Sequence, residues 1–238
     1  MSAPESPEGR PRRHVVRRLA RAFVQADSYG FVLLLIISSY ILSVSVATDW
    51  GASAVIFIQI ATVWFALRTS QARRPVRRAA FVLMAVAGVA AIANLTGADG
   101  TRPFLFALGS VLYLIAPFSI IRHLLSRSGV DQETMLGAIS AYLLFGMFYA
   151  FFYIEISIVQ SGSAFFAGMS GQATMKQVLF FSFTTLTTTG YGNLVPYQNP
   201  GQTLAVSEMI LGQLFLITAM GKIVTEWRPR WSKGDTTS

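Results

Sequence analysis

Residues 180–196 read FFSFTTLTTTGYGNLVP, and the heptapeptide Thr187–Asn193 (TTTGYGN) within them determines how the rest of the chain is interpreted. It lies between a short apolar segment and a long one. Glycine adopts positive φ at little steric cost, so the alternate glycines Gly190 and Gly192 permit a backbone whose successive carbonyl groups turn towards one axis. Such irregular backbone is tolerated within a membrane only where protein buries it or where it lines an aqueous path.

The composition is that of a membrane protein. Of the 238 residues, 53% are hydrophobic and only 13% are charged, whereas about a quarter of the residues of a soluble domain are charged. The chain has no cysteine, which excludes disulfides and thiolate metal sites. The net charge of +8 would suit nucleic-acid binding only if a folded soluble element carried a basic face. No soluble stretch is long enough to supply one, so we expect no nucleic-acid partner.

Six apolar stretches meet or approach the roughly 20 residues that a helix needs to cross a membrane. They are Gly30–Thr48, Trp50–Leu67, Ala79–Ala98, Pro103–Ile121, Thr134–Ile154 and Gln202–Gly221. A seventh stretch, Gln172–Thr187, is shorter and rich in threonine. At a rise of 1.5 Å per residue its ~16 residues would reach only about 24 Å, which is less than the hydrocarbon core. We therefore predict a re-entrant half-helix at this position.

The basic residues indicate the orientation of the spans. With a cytoplasmic N-terminus, all of the 19 Lys and Arg residues except Arg102 and Lys176 lie on the cytoplasmic side, as the positive-inside rule requires. We therefore expect a multi-pass protein of the cell membrane with both termini in the cytoplasm and TTTGYGN on the outer side. A basic amphipathic segment in residues 1–27 and the other basic cytoplasmic segments are expected to contact anionic lipids.

The chain from about Thr134 to Val224 resembles the pore module of the tetrameric potassium channels, which consists of an outer helix, a pore helix, a filter and an inner helix. The resemblance rests on TTTGYGN, in which Gly192 is the second glycine, and on Gly212 in the middle of the last span. It implies that a ring of backbone carbonyls and a hydroxyl replaces the hydration shell of potassium ions. These oxygens are the carbonyls of Thr188, Thr189, Gly190 and Tyr191, and the Thr188 hydroxyl.

One such loop per chain implies a homotetramer, because a ring of carbonyls needs four loops. The fold predicted in this way is an all-α membrane protein with six transmembrane helices, a re-entrant pore helix and a selectivity-filter loop, assembled as a homotetrameric pore. Apart from potassium ions in the filter, no cofactor is expected.

Six residues are candidate supports of the filter. They are Thr184, Thr187, Asn193, Phe180, Phe181 and Glu208. By resemblance, the two phenylalanines stand where tryptophans often brace the filter tyrosine, and phenylalanine cannot donate that hydrogen bond. By the same resemblance, Thr184 and Asn193 stand where such channels often carry acids, and the missing acid pair puts acid-coupled inactivation in doubt but not selectivity. Thr189 stands where valine or isoleucine is commoner, which keeps a non-selective channel open as an alternative. Glu208 is an acid at membrane depth, so it is either a functional residue or a structural hydrogen-bonding partner of the pore helix or of a neighbouring subunit.

The last span also carries gating candidates. Gly212 is either a hinge or a site of close packing between small residues. Met220 and Val224 are spaced to form an apolar constriction that gates by dewetting, or they serve plain packing. These assignments concern the inner half of the pore and leave the filter unaffected.

Four parts are predicted along the chain. A cytoplasmic segment, 1–27, precedes a four-helix transmembrane bundle, 28–124, and a pore domain, 134–224, precedes a short cytoplasmic tail, 225–238. A voltage sensor needs several arginines along its fourth helix, and Pro103–Ile121 contains none. The bundle is therefore expected not to sense voltage.

Passive, potassium-selective conduction is the function that the sequence favours. Two alternatives stay open, a non-selective cation channel on the same fold and a membrane transporter or scaffold. Transporters tend to carry paired broken helices in two related halves, whereas only one re-entrant segment is predicted here. An enzyme is not expected, because no nucleophile–base pair is visible and the two histidines, His14 and His123, lie outside the spans.

Overall fold

The computed structural model describes residues 28–45, 49–96, 102–126, 129–160 and 164–226. These residues form seven helices and contain no β-strand. In chain order the helices are α1 (Ser28–Ser45), α2 (Asp49–Thr69), α3 (Arg74–Leu95), α4 (Arg102–Leu125), α5 (Gln132–Val159), α6 (Met175–Leu186) and α7 (Gly201–Glu226). The predicted all-helical fold is confirmed for this part of the chain. The amphipathic segment expected in residues 1–27 and the tail from residue 227 lie outside the described residues.

Four helices are long and apolar enough to cross a membrane. They cover Arg74–Asn94, Phe104–Leu125, Gln132–Val159 and Gly201–Glu226. Two further apolar helical stretches, Tyr29–Ser45 and Ala54–Thr69, are shorter. The chain is therefore a helical membrane protein, and the count of six spans stays a prediction.

The short helix α6 occupies most of the segment for which the sequence predicts a half-helix. A capping box fixes its first turn, because the Thr174 hydroxyl accepts a hydrogen bond from the Gln177 N–H at 3.3 Å and the Gln177 side chain accepts one from the Thr174 N–H at 2.9 Å. The helix is only 12 residues long. The TTTGYGN loop (Thr187–Asn193) follows its last residue directly.

Helices α1 and α4 pack against α5 of the same chain, and α4 makes the more extensive contact. Helix α2 packs against α1, α3 and α4, and α3 packs against α2 and α4. Tyr113 of α4 meets Phe151 of α5 edge to face, with ring centroids 5.3 Å apart. The Tyr113 hydroxyl also lies 2.7 Å from Ser39 Oγ on α1. Aromatic packing thus holds α4 to the helix that precedes the TTTGYGN loop, and a neutral hydrogen bond joins α4 to α1.

A buried carboxyl group joins the three helices that surround the loop. Glu208 of α7 is fully buried, and it is the only Asp, Glu, Lys or Arg side chain among the described residues in that state. Its Oε2 accepts a hydrogen bond from the Tyr153 hydroxyl of α5 at 2.8 Å, and its Oε1 lies 2.5 Å from Ser182 Oγ of α6. Ser182 Oγ in turn lies 2.7 Å from the carbonyl oxygen of Gly146 on α5.

The hydrogen count in this network favours a protonated Glu208. The Ser182 hydroxyl has a single hydrogen, and a carbonyl oxygen only accepts hydrogen bonds, as does an ionised carboxylate. Ser182 therefore cannot donate to Gly146 and to Glu208 with separate hydrogens, and a hydrogen donated to Gly146 leaves the Ser182 oxygen as an acceptor towards Glu208. All the contacts are satisfied together when Glu208 carries a proton and donates it to Ser182, which also avoids burying a charge at membrane depth.

Replacement of Glu208 distinguishes this neutral network from an ionic one. Glu208→Gln keeps one donor for Ser182 and one acceptor for Tyr153, so the thermal unfolding midpoint of the detergent-solubilised protein should stay close to that of the wild type. Glu208→Leu leaves the Tyr153 hydroxyl without its acceptor and should destabilise the fold by about 1–3 kcal/mol. Equal destabilisation by the two variants would show that the carboxyl group acts as a charge.

Candidate functional site

The backbone of the TTTGYGN loop alternates in handedness. Thr188, Gly190 and Gly192 have φ angles of 57°, 52° and 77°, whereas the residues between them are not in the positive-φ region. Glycine adopts these angles readily, but a β-branched residue such as threonine rarely does. Thr188 is therefore held in a costly conformation by its surroundings, as happens at sites where backbone geometry serves a function.

The N–H groups of the loop point back into the end of α6. The N–H of Thr188 donates to the Thr185 carbonyl at 2.9 Å, and those of Thr189 and Gly190 donate to the Thr184 carbonyl at 2.8 and 3.1 Å. These acceptors belong to the last turn of α6, whose carbonyls have no partner within the helix. The bonds satisfy both sets of groups and fix the loop on the helix.

The carbonyl groups of the same stretch have no such partners. No described residue donates a hydrogen bond to the carbonyl oxygens of residues 188–191. Every residue from Thr187 to Asn193 is exposed in the single chain, and the Tyr191 side chain is 70% exposed. The loop therefore presents a row of unpaired oxygens that can replace the water around a cation.

Side-chain hydrogen bonds hold the threonines of this region in place. The Thr187 hydroxyl donates to the Phe183 carbonyl at 2.7 Å and lies 2.9 Å from the Thr189 hydroxyl. The Thr184 hydroxyl donates to the Phe181 carbonyl at 3.0 Å. The hydroxyl groups of Thr184, Thr187 and Thr189 are thus engaged within the segment that runs from α6 into the loop.

The two phenylalanines predicted to support the filter face different surroundings. The ring of Phe180 stacks on Tyr191, with centroids 5.8 Å apart and planes 13° from parallel. The ring of Phe181 is buried, and its centroid lies 5.1 Å from that of the Tyr153 ring and 5.4 Å from that of the Phe166 ring. Only Phe180 therefore touches the loop, and it contacts Tyr191 by stacking rather than by a hydrogen bond.

Gly212 lies against the end of α6. A Cβ atom at this position would clash with the carbonyl oxygen of Leu186, the last residue of α6. The same carbonyl accepts a hydrogen bond from the Tyr142 hydroxyl of α5 at 3.0 Å. The close approach of α7 to α6 thus requires glycine here, whereas the role of Gly212 as a hinge stays a prediction.

Three tyrosines of α5 that the sequence analysis did not single out contact α6 and α7. Tyr142 bonds to Leu186, Tyr149 lies 3.1 Å from the Ser207 hydroxyl, and Tyr153 bonds to Glu208. Their spacing of seven and four residues places them on one face of a helix. This periodic row of hydroxyl-bearing rings in an apolar span was the signal that could have identified them.

The remaining candidates lie on exposed surfaces of the single chain. The side chains of Met220 and Val224 are exposed on the last turns of α7, and Asn193 is exposed at the end of the loop. Their predicted roles in gating and in support of the filter remain predictions.

The segment that contains this site matches a known family. Residues 137–227 fit the family model Ion_trans_2, described as an ion channel. The match covers nearly all of α5, the whole of α6, the TTTGYGN loop and α7. No curated protein matches the chain. The match agrees with the resemblance noted in the sequence for this region, and residues 137–227 are similar to the ion-channel domains of that family.

Proposed function

We propose that the chain is one subunit of a homotetrameric channel that conducts potassium ions passively and selectively across the cell membrane. The TTTGYGN loop is its selectivity filter, in which the carbonyls of Thr188, Thr189, Gly190 and Tyr191 and the Thr188 hydroxyl bind the ions. Helix α6 is the re-entrant pore helix. The observation that carries this proposal is the alternating backbone. The N–H groups of Thr188, Thr189 and Gly190 bond to α6, while no described residue donates to the carbonyls of residues 188–191.

The exposure of the loop supports the tetramer. Polar backbone groups at membrane depth are costly unless protein or an aqueous path satisfies them. Four loops around one axis would convert the row of carbonyls into rings, and rings of carbonyls substitute for the hydration shell of potassium. The exposed Tyr191 ring would then be covered by a neighbouring subunit.

The orientation of α6 adds an electrostatic contribution. A helix carries a partial negative charge at its C-terminal end, and α6 ends at Leu186, directly before the filter. Four such ends around the axis would stabilise a cation beneath the filter. This arrangement favours a cation channel over a transporter or a scaffold.

One contact favours selectivity over non-selective conduction. The Thr189 side chain stands where valine or isoleucine is commoner in potassium channels, which left non-selective conduction open. Its hydroxyl lies 2.9 Å from the Thr187 hydroxyl, within the chain's own filter segment. The side chain is thereby restrained, so the backbone carbonyl remains the oxygen that Thr189 offers to an ion.

The remaining parts of the proposal concern the surroundings of the pore. Six spans with both termini in the cytoplasm satisfy the distribution of basic residues. Helices α1 to α4 form a peripheral bundle, and α4 carries arginine only at Arg102 and Arg122, near its two ends. A bundle of this kind has no row of charges to move in the membrane field.

The filter assignment is tested by the reversal potential of the reconstituted protein under a potassium/sodium gradient. The wild type should reverse near the potassium Nernst potential. Gly190→Ala should abolish this selectivity or the current itself, because alanine rarely adopts the left-handed φ of 52° that the loop has at this position. A Cβ atom there would meet no other atom within 4 Å, so backbone strain is the expected cause. Robust flux that reverses near zero would indicate a non-selective channel.

Gly171→Ala is the matched control for Gly190→Ala. Gly171 also has positive φ, 85°, and open space around it, but it lies outside the filter. The backbone strain is therefore of the same kind, and the reversal potential should stay that of the wild type. Loss of selectivity in both variants would mean that the effect of Gly190→Ala is not specific to the filter.

The stoichiometry is tested by the mass of the detergent-solubilised complex. A ring built from single loops requires four subunits, so native mass spectrometry should give four times the subunit mass of 26.0 kDa. A stable dimer or monomer that still conducts would contradict the proposed filter, since fewer than four loops cannot close the ring.

Phe180→Ala and Phe181→Ala separate support of the filter from packing of the core. Phe180→Ala removes the ring stacked on Tyr191 and should alter the potassium/sodium permeability ratio while the unfolding midpoint changes little. Phe181→Ala empties a buried site and should destabilise the fold by about 3–5 kcal/mol. The stacking has no role in conduction if Phe180→Ala leaves the permeability ratio unchanged.

A further inference from the structure

A cavity of about 280 Å³ lies between the turn that joins α2 to α3 and the end of α4. Its size is close to the lower limit of about 300 Å³ for small-molecule sites. The backbone carbonyl of Leu124, beside the cavity, accepts a hydrogen bond from Lys222 near the end of α7 at 3.0 Å. Because the TTTGYGN loop precedes the start of α7, the cavity lies at the end of the helices opposite to that loop.

The wall of the cavity is basic and hydroxylated. Its polar side chains include those of Arg73, Arg122, His123, Ser70, Ser119 and Ser126, and no acidic residue lines it. Neither arginine forms an ion pair with any described residue. Two arginines thus line one cavity without a counterion from the described part of the chain.

The position of Arg73 is fixed by the turn before it. Helix α2 ends in a Schellman motif, in which the Ala72 N–H donates to the Leu67 carbonyl at 3.2 Å and the Gln71 N–H donates to the Arg68 carbonyl at 3.4 Å. Gln71 has the left-handed φ of 47° that this motif needs. The turn therefore holds the backbone of Arg73 at the mouth of the cavity.

Two further groups suit an anion. Arg73 is the N-cap residue of α3 and makes no side-chain capping hydrogen bond. The N–H groups of Arg74 and Val76 are therefore left to a ligand or to water, whereas Pro75 between them has no N–H. On the opposite wall, the Ser119 hydroxyl makes no hydrogen bond with a described residue and is able to donate one. The Ser126 hydroxyl already donates to the His123 carbonyl at 2.7 Å.

We propose that this cavity binds a phosphate group, which Arg73 and Arg122 pair with from opposite walls while Ser119 donates a hydrogen bond. Arginine suits this role because its planar guanidinium group pairs with two phosphate oxygens at once. The cavity lies where apolar helices end, which is the depth of lipid headgroups. The ligand is therefore the headgroup of an anionic phospholipid or a soluble phosphate. The proposal does not depend on the selectivity of the pore.

The test measures how each probe raises the unfolding midpoint of the full-length protein in detergent, since a ligand that binds only the folded state stabilises it by RT ln(1 + L/Kd), where L is the concentration of free ligand. The probes are phosphatidylglycerol, phosphatidylcholine and inorganic phosphate, each titrated to an apparent Kd. A response to phosphatidylglycerol alone identifies a lipid headgroup. A response to inorganic phosphate as well identifies a site for soluble phosphate.

The variant Arg73→Gln/Arg122→Gln should weaken binding of the active probe about tenfold or more, because each arginine contributes a charge-assisted hydrogen bond. Arg73→Lys/Arg122→Lys keeps the charge without the paired geometry and should show an intermediate loss. The matched control is Arg77→Gln/Arg78→Gln, which removes two exposed charges of α3 that do not line the cavity. The control should retain an apparent Kd within about twofold of that of the wild type.

Two results would overturn the proposal. One is the absence of any shift in the wild type with phosphatidylglycerol and with inorganic phosphate. The other is an equal loss of binding in the cavity variant and in the control, which would mean that net charge on this face, rather than a built site, attracts the anion.

Discussion

The arrangement of the ion-channel domain depends on one buried carboxyl group. Glu208 joins α7 to Tyr153 of α5 and to Ser182 of α6, and Ser182 continues the network to the Gly146 carbonyl. Within a membrane no water satisfies a polar group, so such a network must be complete in itself. A neutral, fully bonded carboxyl group fixes the register of three helices at little electrostatic cost, whereas an isolated charge there would be expensive.

The geometry of the TTTGYGN loop follows from the position of α6. The last turn of that helix offers unpaired carbonyls, and the N–H groups of Thr188, Thr189 and Gly190 bond to them. Those N–H groups are engaged behind the loop, whereas the carbonyls of residues 188–191 receive no hydrogen bond from any described residue. The bonds of Tyr142 and the close approach of Gly212 at Leu186 hold the same helix end in place. Support of the loop thus comes from behind, through backbone groups rather than through charged side chains.

Much of the fold was predictable because a helix that crosses a membrane needs a long apolar stretch, which is visible within one segment of the sequence. Long apolar stretches predicted an all-helical chain, and a stretch too short to span predicted a half-helix where α6 lies. The tyrosine row of α5 was missed for a physical reason. Aromatic residues in an apolar span usually serve packing, and their hydroxyl partners, Leu186, Ser207 and Glu208, are remote in sequence. The sequence likewise did not show that Phe180 and Phe181 have different surroundings. Adjacent residues of a helix point in different directions, but which neighbours each side chain meets depends on the packing of other helices.

The sequence by itself determined the class of the protein, the location of its ion-channel domain and the presence of two alternating glycines in a threonine-rich loop. These features depend on residue type and local spacing, which any single chain displays. Only the tertiary structure decided that α1 and α4 pack on the chain's own α5, that Glu208 meets Ser182 and Tyr153, and that Arg73 and Arg122 line one cavity. Each of these depends on contacts between segments far apart in the chain, and periodicity within one helix does not specify which face of another helix it meets.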